Sequence, residues 1–321
     1  MKPLLRLLAF AAGALFALAG FAQQKITLSI ATGPTGGVYY PLGGGMANIL
    51  SKNVPGLSAT AESTAGSVAN HEFMLTGKAD IALTMADATW DAYKGQDRFQ
   101  GRPVNVRALM VLYPNRFHIV TLEGLGINKI ADLKGRRIST GPPRSGTEVK
   151  TNRVLAAAGL DPDKDIIRER LTVQESGNAL KDRKIDAFFW SGGVPTAAVT
   201  DLAATPGIKI KLIDHADVVD VLNKKYGPLY VRDVIPAKSY PGQDTPNQIA
   251  TVWNVLVVRG DIPDEVAYNI VKTIFDHKED MIRVHAESRS FDYKYQTNAA
   301  AVIPYHPGAV KYFREKGLDV K

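Results

Sequence analysis

A strand, a Gly-Pro loop, a helix, a second strand, a second helix and a third strand occur in that order twice along the chain. The first copy opens with a strand over roughly 25–32, where Ile26, Leu28 and Ile30 alternate. Gly33-Pro34-Thr35-Gly36-Gly37 follows as a loop, then a helix from near Val38 to about Lys52, a strand over Leu57–Glu62, and a turn and cap at Ser63-Thr64-Ala65-Gly66-Ser67. A helix to about Thr76 and a strand over Ala79–Met85 complete it. The second copy has a strand over Arg137–Thr140, a loop from Gly141 to Thr147, a helix over Glu148–Ala158, a strand over Ile166–Val173, a helix over Glu175–Asp182 and a strand over Ile185–Trp190. The loops read Ala-Thr-Gly-Pro-Thr-Gly-Gly and Ser-Thr-Gly-Pro-Pro-Arg-Ser-Gly, and the third strands begin Lys78-Ala79-Asp80 and Lys184-Ile185-Asp186. Helices between successive strands force parallel pairing, so each copy predicts a parallel sheet flanked by helices. At 321 residues the chain is long enough for two such lobes.

The second copy reads as an insertion into the first lobe. Phe117–Leu122 predicts a strand crossing into it, and Gln248–Arg259 a strand crossing back, after the turn-rich segment from Ser239 to Pro246. Pro263 then starts a helix with Val266, Ile270 and Ile274 at helical spacing, and Pro307–Gly317 predicts a last helix. The expected build is residues 25–114 plus 255–321 for lobe 1 and 115–254 for lobe 2. Two crossing strands form a hinge, and a cleft lies between the lobes.

The N-terminus is an address. Lys2 and Arg6 precede an apolar run of 16 residues, Leu7 to Ala22, with small residues Gly20 and Ala22 at its end. The run is short for a membrane span, and the expectation is a signal peptide over residues 1–22, cleaved after Ala22, with export to a periplasm. The chain has no cysteine, which removes disulfides, thiolate metal sites and cysteine nucleophiles together. The net charge of +7 is not gathered into long basic runs, which argues against a nucleic-acid partner.

Ligands of a parallel sheet sit outside the carboxyl ends of its strands. Both Gly-Pro loops fall there, and each leads into a helix N-terminus whose free N–H groups favour an anion. Gly36, Gly37 and Gly146 permit close backbone approach, and Thr35, Thr64, Ser67, Ser145 and Thr147 add hydroxyls. The segment from Ile26 to Ser51 holds no charged residue, as a site built from dipoles would require. Arg144 is the exception, suited either to a carboxylate or to solvent. Tyr39 or Tyr40 has the position to reach the cleft, and Asn70 shares a helix face with Ser67. Asp87 follows the third strand of lobe 1, and Gly193 and Pro195 follow that of lobe 2. Asp87 fits a ligand amine, an Arg partner or a structural cap.

Motifs for chemistry are lacking. Gly141–Thr147 approaches a P-loop, but Thr147 stands where the phosphate-binding Lys is required. There is no G-x-G-x-x-G after the first strand, no G-x-S-x-G, and none of the six histidines lies in H-E-x-x-H. The sequence therefore predicts no enzyme, no metal and no cofactor. The rival, an exported enzyme with Asp87 as acid or base, and a third reading, a ligand-sensing module, share the same site.

Five segments carry a resemblance. Thr35-Gly36-Gly37-Val38-Tyr39-Tyr40-Pro41-Leu42-Gly43, Ser63 to Asn70, Asp132-Leu133-Lys134-Gly135, Gly141 to Thr147 and His306-Pro307-Gly308-Ala309 resemble the TAXI family, the extracytoplasmic solute receptors of one class of TRAP transporters. The resemblance implies a two-lobed periplasmic binding protein that closes on a solute and delivers it to a membrane permease driven by an ion gradient. It implies small carboxylates, such as glutamate and 2-oxoglutarate, as ligands, and contacts from Gly37, Tyr39, Thr64, Ser67, Asn70, Ser145, Gly146 and Thr147. The chain departs from the family pattern at Pro34 and at Arg144, and Arg144 suggests a second carboxylate on the ligand.

Overall fold

The computed structural model describes residues 26–321, so the expected signal peptide lies outside the described residues. In chain order the elements are β1 (Ile26–Ala31), α1 (Tyr39–Asn53), β2 (Leu57–Glu62), α2 (Ser67–Leu75), β3 (Ile81–Met85), α3 (Ala86–Lys94) and β4 (Val106–Leu122). The second unit follows with β5 (Arg137–Ser139), α4 (Gly146–Ala157), β6 (Ile167–Glu169), α5 (Val173–Lys181), β7 (Ala187–Gly192) and α6 (Ala197–Ala203). Then come β8 (Ile210–Leu212), α7 (Val219–Tyr226), β9 (Val231–Ile235), β10 (Asn247–Arg259), α8 (Asp264–Asp276), α9 (Lys278–Val284), α10 (Asn298–Ala301) and α11 (Pro307–Glu315).

The strands form one mixed sheet in the order β2-β1-β3-β10-β4-β7-β5-β6. The outer trios β2-β1-β3 and β7-β5-β6 are parallel within themselves, as the repeated pattern predicts. Between them run β10 and β4, antiparallel to each other and to the trios they adjoin. Each lobe is therefore three parallel strands plus the antiparallel crossing strands, a two-lobed α/β fold. All five residues of β3 and all six of β7 are buried, because helices cover both faces. Helix α8 shows the complementary logic: Val266, Ile270 and Ile274 are buried on one face, and Asp264 and Glu265 sit at the positive end of its dipole.

The crossing is locally irregular. Pro114 of β4 lies opposite Trp253 of β10, and the register shifts between Trp253 and Val255. The apolar core divides at the same place. One cluster takes buried residues from Leu28 to Tyr113 and from Val255 to Val320. The other two draw on residues between Phe117 and Val252, joined by Met85 and Ala88. Among the described residues no helix is long and apolar enough to cross a membrane.

Candidate functional site

The ends of β1, β2, β3, β5 and β7 converge between the trios, and a small cavity of about 30 Å³ lies there. From the first unit it is lined by Gly33, Pro34, Gly37, Val38 and Tyr39 of the β1–α1 loop, by Ala65, Gly66 and Ser67 before and at the start of α2, and by Met85. Tyr113 of β4 forms part of the wall. The second unit contributes Ser145, Gly146 and Thr147 at the start of α4, and Trp190, Ser191 and Gly192 at the end of β7. None of these residues is charged.

The two halves touch. The backbone N–H of Ala69 donates to the Arg144 carbonyl at 2.9 Å. A Cβ at Gly146 would stand 2.5 Å from Met85 Sδ and 2.9 Å from Ser67 Oγ, so only glycine lets α4 approach α2 this closely. A Cβ at Gly37 would stand 2.8 Å from the Trp190 ring. Trp190 is fixed there by a hydrogen bond from its Nε1 to Thr196 Oγ1 at 2.8 Å, while the Thr196 N–H donates to the Tyr240 hydroxyl. His118 lies 2.8 Å from the same hydroxyl, and burial lowers this histidine to about 3, so it is neutral.

The hydroxyls at the cavity have distinct states. Ser67 Oγ accepts the Met85 N–H and Thr147 Oγ1 accepts the Ser191 N–H. The Tyr39 hydroxyl donates to Asn254 Oδ1 at the crossing, where Asn115 donates to the same oxygen at 2.9 Å. Tyr113, fully buried, has a hydroxyl with no partner, and so has Ser191. Burial raises both tyrosines far above the usual phenol range, so they are neutral donors. Behind the wall, one turn into α4, buried Lys150 donates to the Asn115 carbonyl at 3.3 Å, and burial lowers its ammonium to about 8.

Of the residues singled out in the sequence, Gly37, Tyr39, Ser67, Ser145, Gly146 and Thr147 line the cavity. Others stand one layer back. Asn70 is fully buried, its Nδ2 donating to the Thr32 and Leu83 carbonyls and its Oδ1 accepting from Thr64. Thr64 in turn accepts the Gly66 N–H, so this pair ties the two loops of the first unit together. Gly36 packs on Gln174 and Ala198, beside Thr35. Arg144 points away: it pairs with Glu72 across the rim, with half of its side chain exposed, and supplies no charge to the cavity. Asp87 accepts from the Tyr230 hydroxyl at 3.0 Å and caps the Ala88 N–H, the structural-cap alternative of the sequence reading. Gly193 packs against Glu287 and Tyr113, and the Pro195 carbonyl faces His285. The sequence reading did not single out Tyr113 or Met85, and it placed Trp190 to Pro195 at the cleft-facing end of a lobe 2 strand without making Trp190 or Ser191 a ligand contact. The carboxyl-end rule that selected the loops points equally to Trp190, Ser191 and Met85. Tyr113 lies in an apolar run that reads as core.

The cavity lies at strand carboxyl ends, between two α/β lobes joined by crossing strands. The solved structures agree on the fold. A protein from Bordetella bronchiseptica RB50 matches with a TM-score of 0.55 at 18% identity, over 91% of this chain and 83% of its own. A structure described as a periplasmic transporter matches at 0.53 and 12% identity, over 84% and 88%. One assigned to an L-cystine ABC transporter of Listeria monocytogenes matches at 0.51 and 15%, over 83% and 95%. The chain belongs to the NMT1-like family, whose pattern it matches over residues 30–317.

Proposed function

We propose that the chain is the periplasmic receptor of a TRAP-type secondary transporter. It binds a small organic carboxylate between its lobes and delivers it to the membrane permease. The observation that carries this reading is the cavity between the two glycine loops, where a fully buried hydroxyl, Tyr113, has no protein partner. A buried unpartnered donor costs about 1–3 kcal/mol, a cost a bound acceptor removes. The uncapped N-termini of α1 and α2 add donors suited to a carboxylate. Lobes of residues 25–114 plus 255–321 and of 115–254 rotate about the crossing strands. The signal-like residues 1–22 and cleavage after Ala22 fit export.

A receptor suits this cavity better than an exported enzyme does. No carboxylate, histidine or lysine lines it, and Asp87 is engaged with Tyr230. Mature protein, stripped of ligand by unfolding and refolding, is equilibrated with a mixture of small organic acids and desalted. It is expected to retain one equivalent, recovered unchanged on denaturation. A converted product would replace receptor by enzyme, and retention of none would remove the binding claim.

A further inference from the structure

The resemblance implies glutamate and 2-oxoglutarate as ligands, and Arg144 suggested a second carboxylate. The geometry of the cavity argues otherwise. The N-termini of α2 and α4 are packed together: a Cβ at Gly66 would lie 3.8 Å from Ser145 Cα, and one at Gly146 2.9 Å from Ser67 Oγ. The two loops therefore share one cavity rather than enclosing two. Rings form part of the same lining: Trp190 lies against Gly37, and Tyr39 and Tyr113 line the cavity with it. No lining residue is charged, and the cation expected to receive a second carboxylate is held by Glu72 outside. A second carboxylate buried against indole and phenol would lack a counter-charge, which disfavours it there.

We propose that the site selects a compact solute carrying a single anionic group, and that the Tyr113 hydroxyl is a recognition donor for its acceptor oxygens. This rests on the receptor reading above. The anion sits in the cavity between the two glycine loops, the remainder of the solute packs on Trp190, and Ser191 supplies a second unpartnered hydroxyl in the lining. Tyr113 is suited to the role because it is rigidly held in β4 at the crossing, where both lobes meet, and its hydroxyl stays protonated as a donor.

The test is calorimetric titration of refolded mature protein with pyruvate and lactate against succinate and 2-oxoglutarate, in wild type, Tyr113→Phe and Ser191→Ala. The monocarboxylates are expected to bind at least tenfold more tightly than the dicarboxylates. Tyr113→Phe is expected to weaken them about tenfold while leaving the thermal midpoint of ligand-free protein unchanged or higher. A merely structural tyrosine would lower that midpoint instead. Should Tyr113→Phe fail to fold, Ser191→Ala carries the comparison with the same expected weakening. Dicarboxylates binding as tightly as monocarboxylates would overturn the single-charge inference and leave the receptor standing. Equal affinities in wild type and both variants would overturn the recognition role. Binding of none of the four acids would remove the carboxylate reading together with this inference.

Discussion

Single atoms decide whether the lobes can meet. At Gly37 the missing side chain is what admits the Trp190 indole, 2.8 Å from where a Cβ would stand. Gly37 has no positive φ, so alanine there is not strained by the backbone; its Cβ would meet the Trp190 ring of the second unit at 2.8 Å and the Pro34 carbonyl oxygen at 3.3 Å. Trp190 cannot yield easily, because Thr196 holds its Nε1 and a Cβ at Gly192 would stand 2.5 Å from that nitrogen. Gly37→Ala is therefore expected to weaken ligand binding by at least tenfold, about 1.4 kcal/mol, while leaving the denaturant midpoint of ligand-free protein unchanged. Parallel calorimetry and urea unfolding check both halves. Equal loss of stability and affinity would show that the glycine matters to the fold rather than to closure.

At the scale of elements, β4 and β10 carry the geometry. Their crossing is tied by Asn254, which is fully buried: its Oδ1 accepts from Tyr39 and Asn115, and its Nδ2 donates to the Tyr113 carbonyl at 3.2 Å. Asn254→Ala strands all three partners in the interior. A loss of about 2 kcal/mol is expected in urea unfolding, and an unchanged midpoint would mean that water replaces the amide. These strands also mark the limit of what the sequence shows. The β-α-β order and the strand Leu57–Glu62 are legible because strand and helix periods differ and Gly-Pro loops punctuate them. By contrast, Phe117–Leu122 is only the end of β4, which starts at Val106. Pro114 lies in its middle, at the irregular position opposite Trp253, and Tyr113 stands just before it in an apolar run that reads as core. In the second unit Ile166–Val173 is expected as a strand, but only Ile167–Glu169 pairs, as the sheet edge. The loop glycines are legible because backbone approach needs them. The direction of Arg144 is not, since Glu72 is 72 positions away in the chain.

Contacts beyond the cavity also join the two units. Buried Arg153 of α4 reaches Asp91 of α3 at 2.5 Å and the Tyr230 hydroxyl at 3.1 Å, and Tyr230 passes the link to Asp87. On the other side Glu287 accepts from Arg116 at 2.8 Å and from the Val194 N–H at 2.7 Å, bracing the loop that carries Gly193 and Pro195. Removing one member of such a buried pair leaves the other uncompensated, so each contact is costly to break.

The most direct test of the receptor reading is therefore thermal unfolding of refolded, ligand-free mature protein against pyruvate, lactate, succinate, 2-oxoglutarate and phosphate. A ligand at 100 times its dissociation constant stabilises the native state by about 2.7 kcal/mol, enough to raise the midpoint of a protein this size by several degrees. The account predicts such a rise with the monocarboxylates and a much smaller one with the rest. A midpoint that none of the five acids moves would contradict it.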